Sequence, residues 1–207
     1  MNKNIFITGA SGLLGKALVT QFLQNGFTVY AHYSSNTPIQ HPECKWLQGD
    51  FSTINSIRQF LEQNRSALET CSYLINNYGP ITSKKIPELT SEDFYFDYHH
   101  NLITTFEITS FFIRYAPLKS VINVGFEFAS QLKAYKQILP YACAKNAVYT
   151  LTLSLKEAYP HIRFEMVFPS TIEGAALASK NAKTISPIDM AKEIFNIIDA
   201  SGGQNPF

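Results

Sequence analysis

The chain has 207 residues, of which 45% are hydrophobic and 16% are charged, and its formal net charge is +1. This balance excludes an intrinsically disordered chain. A near-neutral charge without a basic stripe gives no pull toward nucleic acid or an anionic membrane surface, so neither is expected as a partner. The length suits one folded unit, and we expect residues 1–207 to form a single domain.

Strand-like and helix-like segments alternate along the chain. Five short apolar segments are predicted to be strands: "NIFIT", "FTVYAHY", "SYLINN", "SVINVG" and "RFEMVF". Five segments have helical spacing: "LLGKALVTQFLQNG", "INSIRQFLEQN", "NLITTFEITSFFIRYA", "PYACAKNAVYTLTLSLKEAYP" and "SPIDMAKEIFNIIDAS". Pro140 is expected at the first helical position of its segment. The alternation predicts an α/β fold, a doubly wound parallel sheet with helices on both faces, and ligands at the carboxyl ends of the strands.

The start of the chain, "MNKNIFITGASGLLGKALV", could pass for a signal peptide, but three glycines interrupt its apolar run. No apolar stretch reaches the roughly 18 residues of a membrane helix. The three cysteines, Cys44, Cys71 and Cys143, are far apart and lack CxxC spacing. We therefore expect free thiols in a reducing cytoplasm, and no metal site.

The stretch "ITGASGLLGKAL" places Gly9, Gly12 and Gly15 directly between a strand and a helix. Glycines let the backbone turn sharply and approach a pyrophosphate closely, and the helix N-terminus offers N–H groups to phosphate. The position after a first strand favours a dinucleotide site. The alternative is a tight turn that binds no ligand.

The residues after the second strand bear on the choice of dinucleotide. They are His32, Tyr33, Ser34, Ser35 and Asn36, without a carboxylate that would bind the ribose 2′-OH of NAD. Hydroxyl and amide groups can donate to the extra phosphate of NADP. The sequence favours NADP(H), with NAD(H) as the alternative because an arginine is also absent.

Together, "TGASGLLG", "INNYG" and "YACAK" resemble the short-chain dehydrogenase/reductase family over nearly the whole chain. The resemblance implies a Rossmann fold, a bound nicotinamide dinucleotide, and hydride transfer to or from a carbonyl, imine or alcohol. The spacing of Gly9, Gly12 and Gly15 is closer to the extended and atypical branches than to TGxxxGxG. An extended-branch epimerase is thus a further alternative, although the chain is short for that branch's substrate domain.

The resemblance also implies the site residues. Asn101 resembles the asparagine that holds a proton-relay water, with the satisfaction of buried backbone groups as its alternative role, and Tyr141 and Lys145 match YxxxK. Asn76 to Gly79 resemble the NNAG stretch, with Tyr78 in place of alanine. "HYSS" is similar to pteridine-reductase-like members, and Ser170 replaces the glycine of the PG turn. The expected cofactor contacts are Thr8, Gly9, Ser11, Gly12, Leu13, Leu14, Gly15, Tyr33, Ser34, Asp50, Phe51, Asn77, Gly79, Tyr141, Lys145 and Pro169.

Tyr141 and Lys145 are four residues apart, so they share a helix face. Tyrosine has a pKa near 10, which suits proton transfer at neutral pH poorly, and a nearby cation lowers it. We expect Tyr141 to act as acid/base and Lys145 to lower its pKa and bind the cofactor. The alternative is a core tyrosine beside a surface lysine.

The serine of the family is not matched. Gly125 and Phe126 stand where serines are expected, and counting back from Tyr141 leads to Phe128. Glu127 and Ser130 are nearby substitutes, although a solvated loop carboxylate is the alternative for Glu127. A nucleotide-binding sensor or partner protein with weakened catalysis is therefore a competing function.

The remaining candidates carry alternatives of their own. His99 and His100 could approach a substrate or be ordinary helix residues.

After the last helix, "GGQNPF" is too brief for a regular strand, which predicts a truncated C-terminal strand region. "TIEGAALASKNAKT" is expected to form a reduced lid. Dimerisation through residues 94–115 and 140–159 is an expectation. These aromatic residues are expected in the core or the dimer interface, with a substrate cage as the alternative: Phe94, Tyr95, Phe96 and Tyr98.

Overall fold

The computed structural model describes residues 3–35, 41–127, 129, 131, 134–175 and 183–202. The strands are β1 Asn4–Ile7, β2 Thr28–Tyr33, β3 Cys44–Gln48, β4 Tyr73–Asn76, β5 Ser120–Val124, β6 Arg163–Val167, β7 Thr171–Ile172 and β8 Thr184–Ile185. The helices are α1 Leu13–Gln24, α2 Ile54–Gln63, α3 Arg65–Leu68, α4 Ser91–Asp97, α5 Thr104–Tyr115, α6 Leu139–Ala158 and α7 Pro187–Gly202. A 3₁₀ turn covers Ile86–Glu88, and a π-helical turn, Tyr98–Ile103, joins α4 to α5.

Within the described residues, the main sheet has six parallel strands in the order β3-β2-β1-β4-β5-β6. Ile7 of β1 pairs with Ala31 on one side and with Ile75 on the other. The chain therefore reverses its direction of progress across the sheet between β1 and β4. A crevice opens at the carboxyl ends of strands at such a reversal, and the predicted site residues follow these strands.

The alternating strands explain the two cores. Ile5 and Ile7 of β1 face one side, where they pack against α1 and α7, through residues such as Leu18 and Ile194. Phe6 faces the other side, where it packs against α2 and α5. Both faces of the sheet are thus covered, and the predicted doubly wound α/β fold is confirmed.

The prediction of five strands missed one strand of the main sheet, because "CKWLQ" forms β3, and it also missed the short pair β7 and β8. Cys44 is the one buried residue of β3, and the other four are half-buried or exposed. Within the described residues β3 is an edge strand, so its composition lacks the apolar run of a central strand. Its backbone pairing with β2 places Gln48 beside Tyr33 at the carboxyl edge.

The long aromatic helix begins earlier than predicted. Thr90 caps α4, and the Asp93 carboxylate accepts a hydrogen bond from the Thr90 N–H at 3.0 Å. A π-helical turn then interrupts the α-helical pattern before α5 continues to Tyr115. Such turns occur often at functional sites, and this one contains Asn101. At the start of α6, Pro140 occupies the second helical position instead of the first.

The residues beyond the described ranges include two predicted features. Half of the expected lid, 176–182, and the end of the chain, 203–207, lie outside the described residues, so the expectation of a truncated strand region is not tested. Among the residues that the structure describes, no helix combines the length and apolar character needed to cross a bilayer.

Candidate functional site

The turn after β1 is tied to the end of β4 by Thr8. Its hydroxyl accepts hydrogen bonds from the N–H groups of Asn77 at 3.0 Å and Tyr78 at 2.9 Å. Gly9 has a φ of 61°, and a Cβ there would lie 2.9 Å from the Tyr78 Cα. Only glycine fits this position without strain, so the turn is held close to β4.

His32 secures the same turn from β2. Its Nδ1 accepts a hydrogen bond from the Gly9 N–H at 3.1 Å, so Nε2 carries the proton and donates to the Gly49 carbonyl at 3.1 Å. The ring is buried and stacks on Phe51 at 3.8 Å between centroids. Burial lowers the pKa of His32 from 6.5 to about 4, against a smaller opposing effect of the Gly49 hydrogen bond. His32 is therefore neutral near pH 7.

The N-terminus of α1 meets the conditions for a phosphate site. Gly12 is the exposed N-cap, and no side chain caps it. A Cβ at Gly15 would collide with the Gly9 carbonyl and lie 2.7 Å from the Ala10 Cα, so this glycine permits close packing of helix and turn. Leu14 and Ser11 are buried, whereas Leu13 is 47% exposed. The first amide groups of α1 thus remain available to an anion.

The residues after β2 and β3 form the outer end of the site. Tyr33 is half-buried at the end of β2, and Ser34 is exposed, with its carbonyl accepting from the Gln48 side chain at 3.0 Å. Asn36 lies outside the described residues. Asp50 is exposed after β3, and hydrogen bonds from the Ser52 hydroxyl and N–H lower the pKa of its carboxyl.

The residues after β4 have different neighbours. The Asn77 amide donates to the Thr8 and Gly9 carbonyls, both at 3.1 Å. Asn76 instead lies inside the sheet layer, where its amide donates to Asn123 Oδ1 at 2.8 Å and to Thr109 Oγ1 at 3.0 Å. Asn76 therefore stabilises the fold, and Asn77 shapes the turn.

Asn101 lies in the centre of the π-helical turn and is fully buried. Its amide donates to the carbonyls of Pro80 and Asp97, both at 3.0 Å, while its Oδ1 has no hydrogen-bond partner among the described residues. A Cβ at Gly79 would collide with Asn101 Oδ1 and lie 3.2 Å from Lys145 Nζ. Gly79 thus leaves the space in which the amide oxygen and the lysine head approach each other.

Tyr141 and Lys145 share a face of α6, as predicted from their spacing. Lys145 Nζ lies 5.6 Å from the centre of the Tyr141 ring and donates to the Val124 carbonyl at 2.8 Å. The lysine side chain is buried, so the alternative of a surface lysine is wrong. Burial lowers the pKa of Lys145 to about 8, and the Asp97 charge opposes this effect.

The expectation that Lys145 lowers the pKa of Tyr141 remains a prediction. The pKa of Tyr141 is raised, because burial disfavours the phenolate and the charge of Asp97 adds to that effect. Desolvation is the larger of these two effects.

The place of the expected serine holds apolar groups. A Cβ at Gly125 would lie 2.5 Å from the terminal methyl of Met166. The Phe126 ring lies 5.6 Å from the Tyr141 ring and 5.5 Å from the Tyr135 ring. Glu127 is half-buried. Phe128 and Ser130, the other residues considered for this place, lie outside the described residues.

The two histidines have specific partners. His100 Nδ1 lies 3.0 Å from Tyr78 Oη, and burial lowers the pKa of His100. His99 Nε2 lies 2.9 Å from the Phe51 carbonyl. Both histidines therefore lie beside Phe51 and Tyr78, close to the glycine-rich turn. Pro169 is buried two residues after β6, and Ser170 is half-buried beside it.

Asp97 is a site residue that was not predicted from the sequence. This residue is fully buried at the end of α4, and its charge acts on both Tyr141 and Lys145. One signal was present in the sequence: Asp97 precedes Asn101 by four residues and therefore shares its helix face. Tyr135 was also missed, because it lies in a loop without a motif.

The cysteines and potential metal ligands stand apart from these groups. Cys44 and Cys71 are buried free thiols whose pKa burial raises to about 12, and Cys143 is a half-buried free thiol. Across the described ranges, no group of three or more His, Cys, Asp and Glu side chains could hold a metal ion.

Comparison with proteins of known sequence identifies a relative. Benzil reductase ((S)-benzoin forming) of Bacillus subtilis (strain 168) is 29% identical over 172 residues, which cover 78% of this chain and 70% of that protein.

Solved structures share the fold. A short chain dehydrogenase from Leptospira borgpetersenii serovar Hardjo-bovis (strain JB197), with bound NAD+, superimposes with a TM-score of 0.82 at 20% identity, covering 94% of this chain and 85% of that one. A blue fluorescent protein from a metagenomic library, in complex with NADPH, gives 0.80 at 18% identity, covering 95% and 92%.

The family assignment rests on more than single motifs. The profile of the short chain dehydrogenases matches residues 3–185, from the first strand to the last short strand. This range contains the glycine-rich turn, Asn101, and the Tyr141–Lys145 pair. The chain therefore belongs to the short-chain dehydrogenase/reductase family.

Proposed function

We propose that this protein is an NAD(P)H-dependent reductase or dehydrogenase that transfers a hydride to or from a small carbonyl or pterin-like substrate. The observation that carries the proposal is the meeting of Gly79, Asn101 and Lys145 near Tyr141, next to the glycine-rich turn. Three separate segments contribute to this group, after β4, in the π-helical turn and in α6.

The chain's residues fit a nicotinamide dinucleotide. The left-handed Gly9, the close packing at Gly15 and the uncapped start of α1 make a cradle for a pyrophosphate. Asp50 and Phe51 would lie at the adenine end, and Lys145 and Pro169 at the nicotinamide end. When bound, the nicotinamide supplies or accepts the hydride.

We propose NADP(H) as the preferred dinucleotide. The end of β2 offers the hydroxyl groups of Tyr33, Ser34 and Ser35, of which both serines are exposed. Such groups can donate to a 2′-phosphate, whereas a carboxylate at this place would repel it. NAD(H) is the alternative.

Tyr141 is the proposed proton donor to the substrate oxygen in the reductive direction. Burial raises its pKa, so the phenol is protonated at neutral pH and ready to donate. Donation creates a phenolate, which the Lys145 ammonium stabilises only while it is charged. The Oδ1 atom of Asn101 lies near Lys145 and has no hydrogen-bond partner among the described residues. We propose that Asn101 helps to hold the Lys145 side chain in position for the proton transfer.

The residues beside Tyr141 favour a substrate with a flat or aromatic part. Phe126 packs between Tyr135 and Tyr141 and forms an aromatic wall next to the proposed proton donor. Aromatic rings prefer tilted or offset contacts with other rings, which this wall can provide. The similarity to a protein named for benzil reduction supports an aromatic ketone as the first substrate to test.

The test is a steady-state assay with NADPH and a panel of aromatic ketones, aldehydes, quinones and dihydropterins, followed by cofactor absorbance. We expect Tyr141→Phe to lower kcat by about 100- to 10,000-fold, the usual contribution of a positioned acid. Tyr159→Phe is the matched control, because it removes a hydroxyl at the far end of α6. Equal turnover by the wild type and Tyr141→Phe would refute the assigned role.

The second candidate is a dinucleotide-binding sensor or partner protein with weakened catalysis. The methyl of Met166 near Gly125, and the Phe126 ring, place apolar groups where the family has a serine. NADPH binding measured by calorimetry, without turnover of any panel member, would favour this candidate. Robust turnover would exclude it.

We propose a homodimer for the assembly and the cytoplasm for the location. Exposed apolar side chains on the helices of the predicted interface support the dimer: Tyr95, Phe106 and Leu153 are 75%, 45% and 49% exposed. The three free thiols fit a reducing compartment. Light scattering at several concentrations tests the dimer, and a monomer throughout would refute it.

A further inference from the structure

Asp97 is a buried carboxyl group without a role in the proposed proton transfer. It lies at the end of α4, one turn before Asn101, and its side chain is fully buried. Oδ1 accepts a hydrogen bond from the Thr82 N–H at 3.3 Å, while Oδ2 has no hydrogen-bond partner among the described residues. A buried carboxylate with an unpaired oxygen is costly unless a charge or a proton compensates it.

The backbone around Asp97 connects it to the proposed site. The Asp97 carbonyl accepts from the Asn101 amide at 3.0 Å, and the same amide donates to Pro80. The segment from Gly79 to Thr82 is thereby held against the turn from Asp97 to Asn101. On the opposite side, α6 packs against both α4 and the π-helical turn.

The charges that face Asp97 come from two elements. Burial raises the pKa of Asp97, the charge of Asp93 on its own helix acts in the same sense, and the charge of Lys145 on α6 acts against both. The charge of Asp97 in turn acts on Tyr141 and Lys145. Lys145 is the cation in this group, and one of its N–H bonds donates a hydrogen bond to the Val124 carbonyl. Its attraction to Asp97 acts through space.

We propose that Asp97 is a positioning residue, a buried counter-ion that keeps the Lys145 ammonium charged and thereby supports Tyr141 as proton donor. The proposal rests on the proposed function for its catalytic consequence. Its electrostatic core, the pairing of Asp97 with Lys145, is independent of turnover.

The consequence for pH follows from the sign of the interaction. A carboxylate stabilises a nearby ammonium, so loss of the Asp97 charge lowers the pKa of Lys145, which burial has already lowered to about 8. The reductive reaction needs the charged lysine, so its rate falls as pH rises through that pKa. Without Asp97 the fall begins at a lower pH.

The first experiment compares the pH profiles of kcat for the wild type, Asp97→Asn and Glu92→Gln with NADPH. The introduced amide oxygen can still accept from Thr82, so we expect the Asp97→Asn variant to fold and its alkaline limb to move down by about one pH unit. Glu92→Gln removes the same charge from an exposed position on the same helix and should leave the limb in place. A folded, active Asp97→Asn with the wild-type limb would overturn the proposal.

The second experiment needs no activity. The carboxyl carbon of Asp97 is titrated by NMR in the wild type and in Lys145→Met, which keeps an unbranched apolar side chain. We expect a higher titration midpoint in Lys145→Met, because the compensating cation is gone. The same midpoint in both proteins would refute the pairing, whereas a wild type without turnover refutes only the proposed function.

Discussion

At the residue scale, the neutral imidazole of His32 holds the glycine-rich turn in place. His32 accepts from the Gly9 N–H and donates to the Gly49 carbonyl, so it joins the ends of β1, β2 and β3. A second proton would convert the acceptor Nδ1 into a donor facing another donor. The turn that forms the proposed phosphate cradle therefore depends on the protonation state of His32.

Acid should weaken the fold through this residue. With a pKa of 6.5 when unfolded and about 4 when folded, His32 stabilises the protein fully above pH 6.5 and loses that contribution progressively toward pH 4. The loss is roughly 3 kcal/mol at about 1.4 kcal/mol per pKa unit. Urea unfolding between pH 4.5 and 7.5 should show a shallower pH dependence in His32→Asn than in the wild type.

His161→Asn is the control for that measurement, because it makes the same substitution at an exposed histidine. Equal slopes in the wild type and His32→Asn would contradict the role given to His32.

At the scale of elements, the loop after β4 and the π-helical turn meet at Gly79. A methyl group there would collide with Asn101 Oδ1 and crowd Lys145 Nζ. We expect Gly79→Ala to lower kcat by about 10- to 100-fold, since small displacements of catalytic groups have effects of this size. Circular dichroism should show that the fold is retained.

Gly26→Ala separates site damage from general destabilisation. Gly26 has a φ of 74° after α1, and its Cβ would meet open space. This variant should lose about 1 kcal/mol of unfolding free energy yet keep its kcat. If Gly79→Ala retained full activity, the close approach of Asn101 and Lys145 would make no contribution to kcat.

Element prediction succeeded where burial was strong and failed where it was weak. The buried strands β1, β4 and β5 and the periodic helix α1 were all predicted from apolar pattern. The edge strand β3 was missed, because only Cys44 is buried. The π-helical turn was missed as well, since its hydrogen-bond shift leaves no mark in the spacing of apolar residues.

The candidate site divides in the same way. The spacing of Tyr141 and Lys145 predicted their shared face, and the glycines predicted the turn. Asp97 had only its spacing from Asn101 as a signal, and Tyr135 had none, because their roles come from contacts between distant segments. The upward shift of the pKa of Tyr141 could not be predicted either, since the sequence shows a nearby cation but not the burial that raises the pKa.

At the scale of the whole molecule, the dinucleotide should stabilise the folded chain. A ligand that binds only the folded state adds about 2.7 kcal/mol at one hundred times its Kd. We expect NADPH to raise the Tm, and to raise it more than NADH does at equal concentration. Gly15→Ala, whose methyl would collide with the turn, should lose this shift.

The result that would contradict this expectation is a Tm that neither dinucleotide changes in the wild type. A larger effect of NADH than of NADPH would instead correct the preference assigned to Tyr33, Ser34 and Ser35.

The contact between Gly125 and Met166 determines which side chains position 125 can accept. The group nearest to a Cβ at Gly125 is the terminal methyl of an unbranched, flexible side chain, although the Val167 carbonyl at 3.1 Å leaves little further room. Methionine can swing such a methyl aside at small cost. A single Gly125→Ser change could therefore be accommodated, and it would supply a hydroxyl at one of the positions where a serine was expected.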